Sequence, residues 1–276
     1  MKLKMVRHLW GVEKNWTEAF SLFRKMGYEL IESPMPSLHQ QQEFTELRQR
    51  NDLSYIAMAF TSGNDPQAHL ESFRGQLQEA IRLGATMLTA HSGRDCWDDE
   101  TSLAFYKEVV QIEKDSPIPV AHETHRGRVF FNPWTTRKIL QHLEPLKLCC
   151  DFSHWVCVAE RLNWDDEENT ILRLVADRAI HLHARVGYEQ GPQVPDPSAP
   201  EYRHHLETHL KWWEIVWKNQ QVRGLAFCTV TPEFGPPAYL HTLPHTNVPV
   251  ADLWNVCEWM SEQVQNRYAS TIDTRS

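Results

Sequence analysis

The residues of this chain whose types and spacing suit chemistry fall in four short clusters. They are Ala121-His122-Glu123-Thr124-His125, Cys150-Asp151-Phe152-Ser153-His154, His181-Leu182-His183-Ala184-Arg185 and Thr231-Pro232-Glu233-Phe234. Each follows a short apolar run of the kind that forms a buried strand. Taken singly, a carboxylate at a strand end is usually solvated or caps a helix, and His122 or His181 reads as a hydrogen-bonded core residue. Glu123, Asp151, His183 and Glu233 brought to one place are different: clustered carboxylates in a partly dry mouth repel one another and take up protons unless a cation shares them. Three carboxylates and one imidazole form an oxygen-rich set that suits Mn²⁺, Mg²⁺ or Co²⁺ better than a thiolate zinc site, with Zn²⁺ still compatible. HETH is not the HExxH helix motif, because its histidines are three apart and it reads as strand, where period two puts Glu123 and His125 on one side. His125 is then a neighbour of the site.

For these groups to meet, the strands that carry them must be parallel neighbours. Candidate strands cover 5–10, 28–32, 54–60, 86–91, 119–123, 147–151, 179–184 and 225–229, alternating with segments of helical period such as Leu70, Phe73, Leu77, Ala80 and Ile81. The last helix carries Val250, Leu253, Trp254, Cys257 and Val264. Asp65-Pro66 and Asn132-Pro133 mark helix starts, while Gly27 and Gly84 mark stops. Eight strand-helix units of about 30 residues predict an α/β fold, a closed (β/α)₈ TIM barrel formed by residues 1–276 as a single domain. The first strand is followed by Trp10-Gly11-Val12-Glu13 and not by a GxGxxG turn, which disfavours an open dinucleotide-binding sheet. A proline-rich connection, 187–200, predicts a lid or rim beside the seventh strand.

Composition narrows the function classes. Lys and Arg number 28 against 36 Asp and Glu, a net charge of −8 that gives no long-range attraction to nucleic acid. The six cysteines lack CxxC spacing and read as buried thiols of a reducing, cytoplasmic compartment. No apolar run is long enough for a membrane span.

These strand ends resemble the xylose isomerase-like superfamily of TIM barrels, which groups sugar and sugar-phosphate isomerases and epimerases with DNA-repair endonucleases. The resemblance runs from HLWG in the first strand to TPEFG in the eighth, and is carried by Glu123 in HETH, Asp151 with His154 three residues on, the HLHAR strand and Glu233. It implies that Glu123, Asp151, His183 and Glu233 hold one divalent metal, Mn²⁺ or Mg²⁺ before Co²⁺ or Zn²⁺. It further implies that Glu123 and Glu233 act as an acid-base pair on opposite faces of the substrate carbon. His154 would hydrogen-bond a substrate oxygen, and Arg185 is the nearest basic residue to hold another, although related epimerases place their arginine further along, where Glu189 stands here. The chemistry is self-consistent: proton transfer beside a carbonyl needs a base near carbon, an acid near oxygen and a cation for the enediolate charge.

Further substrate contacts are expected from His91 and Glu32 at strand ends, from His125 and from Trp10; Trp97, Trp134 and Trp155 also follow strand ends and could wall a sugar ring, although ordinary packing is the commoner role of any one of them. Trp212, Trp213 and Trp217 are expected to face the core or a subunit contact. The leading expectation is a metal-dependent isomerase or epimerase of a keto sugar or related hydroxy-carbonyl compound, working through an enediolate. The partner is a small-molecule carbohydrate, with homo-oligomers frequent among the proteins it resembles. Alternatives are a lyase or dehydratase on a keto sugar or inosose using the same enediolate, a DNA-repair metallonuclease, and a non-catalytic sugar-binding barrel. The nuclease reading lacks a ligand at Phe60-Thr61 and has Ser198 where a histidine is expected two residues after Asp196.

Overall fold

A computed structural model describes residues 1–272. The last four residues of the expected 1–276 domain lie outside the described residues. The strands β1 (Lys2–His8), β2 (Leu30–Pro34), β3 (Ser54–Phe60), β4 (Met87–His91), β5 (Val120–Glu123), β6 (Leu148–Cys150), β7 (Ala179–His183) and β8 (Phe227–Thr231) form one closed parallel barrel in sequence order. Around it run α1 (Trp16–Lys25), α2 (Gln41–Arg50), α3 (Pro66–Arg82), α4 (Asp99–Lys114), α5 (Pro133–Leu140), α6 (Phe152–Ala159), α7 (Asp166–Ala176), α8 (Arg203–Val222) and α9 (Leu253–Ile272). Helix α3 starts where Asp65 accepts from the Ala68 N–H, and α5 where Asn132 accepts from that of Thr135, each with proline in the first turn. Val250 lies before α9 and is exposed. No described helix is long and apolar enough to cross a membrane.

Strand boundaries decide what each residue faces. β1 and β2 fall short of, or run past, the apolar runs that announced them, so Trp10 lies in the loop after β1 and Glu32 lies inside β2. β8 starts and ends two residues later than its apolar run suggests, which puts Glu233 two residues past its end. Inside the barrel, Val6, Leu30, Ile56, Met87, Ala121 and Cys149 form a separate apolar cluster. Two residues further along, as period two dictates, the inward positions turn polar except at Met58: His8, Glu32, Thr89, Glu123 and Asp151, all buried. The closed sheet thus has a dry floor and a polar mouth at the C-terminal strand ends.

Trp212, Trp213 and Trp217 on α8 are buried in the main core, so they pack the helix onto the barrel. The 187–200 connection is pinned rather than free. Val194 N–H donates to Val186 O (2.9 Å), and the Gln193 amide pairs both ways with the Gly235 backbone, at 3.1 and 2.7 Å. Gly187 N–H donates to Nε2 of His209 (3.3 Å), whose Nδ1 donates to the His205 carbonyl (2.8 Å).

That arrangement needs a neutral His209, since Nε2 must accept. Burial pushes this imidazole down to about 4, from an unfolded value of 6.5. Between those two values the unfolded chain binds a proton that the folded one refuses. The contribution of His209 is therefore complete above pH 6.5 and lost as pH falls toward 4, at up to about 1.4 kcal/mol per pH unit. Urea denaturation of the protein and of His209→Gln between pH 4 and 8 should show a shallower acid slope in the variant; superimposable slopes would refute this.

Candidate metal centre and active site

Four strand ends deliver the expected ligands to one point. Glu123 is the last residue of β5, Asp151 is the N-cap of α6, His183 ends β7, and Glu233 follows β8. One ligand atom from each lies within 4.8 Å of the others, and all four side chains are buried. His183 Nδ1 sits between Glu123 Oε1 (3.3 Å) and Glu233 Oε2 (3.0 Å). Neither Glu123 oxygen, nor Glu233 Oε2, nor His183 Nδ1 makes a hydrogen bond of proper geometry. Buried acceptors without donors are costly, and their convergence suits a divalent cation. The donor set is hard and oxygen-rich, which favours Mg²⁺ or Mn²⁺.

Glu32 explains why His183 presents Nδ1. Its Oε1 takes the His183 Nε2–H (3.1 Å) and the Thr89 hydroxyl (2.7 Å), while Oε2 takes the Thr231 hydroxyl (2.6 Å) and His181 Nε2–H (3.2 Å). Burial alone would raise its carboxyl, but His183 and His181 outweigh it and hold Glu32 well below the usual carboxylate range. The expectation that Glu32 touches substrate is therefore corrected. Its place within β2 turns it into the barrel with no exposed surface, where it fixes the tautomer of the ligating imidazole.

Arg185 is buried, and its Nε and Nη2 donate to Asp151 Oδ2 at 3.0 and 2.5 Å, with Nη2 also 3.0 Å from Glu233 Oε2. Asp151 Oδ1 accepts from the Ser153 N–H (3.0 Å) and hydroxyl (2.5 Å). Burial still pushes Asp151 up to about 6 against the pull of Arg185. For Glu233, burial is outweighed by His183 and Arg185, which bring it down to about 2. Arg185 lines the cavity, and its Nη1 is left without a hydrogen bond there. His154 is fully buried, with Nε2 3.1 Å from Arg185 Nη2 and its ring centroid 3.8 Å from that of His125, the two planes tilted by 45°. It is in contact with His125 and Arg185 but is not itself part of the cavity lining.

A cavity of about 590 Å³ opens over this cluster, lined by Arg185, Glu233, His91 and His125 together with Leu9, Trp10, Gly11, Pro34, Met58, Phe60 and Tyr239. His91 Nε2 approaches Glu123 Oε2 to 2.7 Å without hydrogen-bond alignment, and its ring stacks on Phe60 at 4.2 Å. His125 lies beyond the end of β5, so the loop and not strand alternation brings it to the cavity. Trp10 lies across Gly235, where any Cβ would strike its ring. The other tryptophans do not form walls: Trp155 is core and donates to Phe130 O, Trp97 packs on His69 and Phe105, and Trp134 lies under Arg161. Phe60, Met58 and Tyr239 were missed. Phe60 could have been found as the last residue of the third strand, whereas Tyr239 lies in the irregular 232–252 connection and gives no sequence signal. Glu189, where related epimerases place an arginine, pairs with His205 at 3.0 Å.

The family model of xylose isomerase-like TIM barrels matches residues 20–208. None of the curated proteins matches the sequence. Solved structures share the fold at low identity. A 3-keto-D-glucoside 4-epimerase from E. coli is 12% identical, with 96% of this chain and 100% of that chain covered and a TM-score of 0.63. The probable 3-DHS dehydratase from Bacillus anthracis is 12% identical, with 96% and 99% covered and a TM-score of 0.60. A xylose isomerase-like TIM barrel protein from Mycobacterium smegmatis, solved in complex with magnesium, is 11% identical, with 98% and 97% covered and a TM-score of 0.60.

If Glu32 sets the imidazole tautomer, its loss should be read in metal affinity. Calorimetric titration with Mn²⁺ should give one site, and Glu32→Gln should weaken it by about 10- to 100-fold with an unchanged circular dichroism spectrum. Equal affinity in the two proteins would show that Glu32 does not act on the ligand.

Proposed function

Since this chain belongs to the xylose isomerase-like TIM barrel family, we propose that it is a divalent-metal-dependent isomerase or epimerase of a keto sugar or related hydroxy-carbonyl compound, working through an enediolate. The observation that carries this reading is the pair of buried glutamates on either side of His183, both held as carboxylates and both with oxygens free of hydrogen bonds. Glu123, Asp151, His183 and Glu233 would hold the cation, which when bound supplies polarisation of the carbonyl and a counter-charge for the oxygen that becomes negative.

The remaining work falls to the side chains. One glutamate, as the carboxylate, takes the proton from the carbon beside the carbonyl and can return that same proton to the neighbouring carbon; for inversion, the other glutamate, across the ring of His183, first takes up a proton from water and then gives it to the opposite face. Burial would raise both carboxyls, but His91 and His183 at Glu123, and His183 and Arg185 at Glu233, hold them ionised and ready to accept. Arg185 offers Nη1–H to a substrate oxygen while its other nitrogens keep Asp151 and Glu233 in place. His91 and His125 stand in the wall on the Glu123 side. All six cysteines are free, which fits a reducing, cytoplasmic setting.

A lyase uses the same first half-reaction, with a β-hydroxyl leaving in place of reprotonation, and the fold shared with a probable dehydratase keeps it as the second reading. The nuclease reading is weaker, because Ser198 stands where a histidine would be expected and spends its N–H and hydroxyl on Asp196 Oδ1, at 2.9 and 2.7 Å.

Incubation of the Mn²⁺- or Mg²⁺-supplemented protein in D₂O with a panel of ketoses and inositol ketones, followed by NMR, tests the reaction. Deuterium incorporation with isomer formation is expected, whereas an unsaturated product would indicate the lyase. At saturating metal, Glu123→Gln and Glu233→Gln should each lower the exchange rate by about 10²- to 10⁴-fold. No exchange by the unmodified protein on any member of the panel would reject the proposal.

A further inference from the structure

The polar groups of the cavity are contiguous: His91 reaches Glu123, and Glu233 reaches both His183 and Arg185. Away from them the lining is apolar, made of Leu9, Trp10, Pro34, Met58, Phe60 and Tyr239. Phe60 and Trp10 are 40% and 36% exposed, an unusual state for large rings that face inward over a cavity. Tyr239 is fixed before any ligand arrives. Its ring lies 5.0 Å from the Arg185 guanidinium and 5.2 Å from that of Arg126, and Trp10 meets it edge-on at 4.9 Å. Hydroxyl groups set against the ring faces and alkyl groups of this wall would give up water for at most the Tyr239 hydroxyl or the Trp10 indole N–H, whereas an aryl or alkyl group would lose only its own exposed surface. A phosphate would fare worse. Besides the imidazoles of His91 and His125 on the Glu123 side, Arg185 is the one permanently charged cation in the lining, its Nε and Nη2 are already committed, and Glu233 stands beside it.

We propose that this apolar half is a subsite for an aryl or alkyl group carried by the substrate. The natural substrate is then a conjugate, a keto- and hydroxyl-bearing ring joined to an apolar moiety, and not a free or phosphorylated sugar. The proposal rests on the reading of the polar half as a site for a hydroxy-carbonyl compound. The cavity volume of about 590 Å³ falls within the roughly 300–1,000 Å³ of pockets that enclose drug-sized molecules, which leaves room beyond a single sugar ring.

The test compares one keto sugar whose carbonyl is not its anomeric carbon, such as a 3-keto-hexopyranose, in three forms: unsubstituted, as its phenyl glycoside, and as its phosphate ester. Calorimetry with Mn²⁺ present should give at least about tenfold tighter binding of the phenyl form than of the unsubstituted one, with the phosphate form weakest. Phe60→Ala should bring the ratio of phenyl to unsubstituted affinity toward one. Trp10→Ala, on a loop outside the core, should also reduce it and carries the test if the Phe60 variant does not fold. Equal affinities of the phenyl and unsubstituted forms would overturn the proposal, as would tightest binding of the phosphate form with loss of that advantage in Arg126→Ala. Deuterium exchange in the same samples separates the two readings. A Phe60-dependent gain without exchange upholds the subsite and rejects the isomerase, while exchange without a gain does the reverse.

Discussion

The constraint on which this molecule turns is the burial of four carboxylates, Glu32, Glu123, Asp151 and Glu233, at one end of a closed barrel. Like charges in a medium of low polarity do not stay ionised unless something of opposite sign is built in beside them. Arg185 supplies one fixed positive charge, and it binds Asp151 and Glu233 rather than the pair nearer the barrel axis. His183 supplies the second. Burial would depress its imidazole, yet Cys149, Glu233, Glu32 and Glu123 around it outweigh that and hold it well above its ordinary value. The proton on His183 therefore does in part what a divalent cation would do at this point, by supplying positive charge between Glu123 and Glu233.

Glu32 is the member of the four that makes the arrangement directional. Two hydroxyls, from Thr89 and Thr231, and two imidazoles, from His181 and His183, donate to it from strands β4, β7 and β8. Its lone pairs are used up below the cavity, which leaves Nδ1 of His183 as the imidazole atom facing Glu123 and Glu233. Below this layer the barrel is filled by Val6, Leu30, Ile56, Met87, Ala121 and Cys149, which shuts out water from beneath. The polar layer is therefore reached from the strand ends, where the cavity lies.

How much of this could be read from the sequence follows from which features are local. A carboxylate or histidine just past a short apolar run signals a strand end, and this is enough to single out Glu123, Asp151, His183 and Glu233. Eight such runs separated by helical segments give the closed barrel. The role of Glu32 was hidden because β2 extends two residues beyond its apolar run, to Pro34, and that shift moves a residue from the rim to the interior. The places of Trp97, Trp134 and Trp155 stay open in the sequence for a related reason: following a strand end does not say whether a side chain turns toward the cavity or back onto a helix, and Trp155 lies on α6, which packs it into the core. Tyr239 depends on the path of an irregular connection, which no periodicity encodes.

The same distinction explains how the chain manages with Glu189 where related epimerases place an arginine. Glu189 sits in the pinned 187–200 connection and pairs with His205 on α8, so it helps anchor that segment. The guanidinium of this chain stands at position 185, next to the strand, where Nε and Nη2 hold the two carboxylates, Nη1 makes no hydrogen bond, and the group lies over the ring of Tyr239. A lysine there would supply one charge but neither the planar face nor separate nitrogens for carboxylate and ligand. Arg185 thus joins the charge balance of the metal centre to the position of the aromatic wall, and a change in either one is felt by the other.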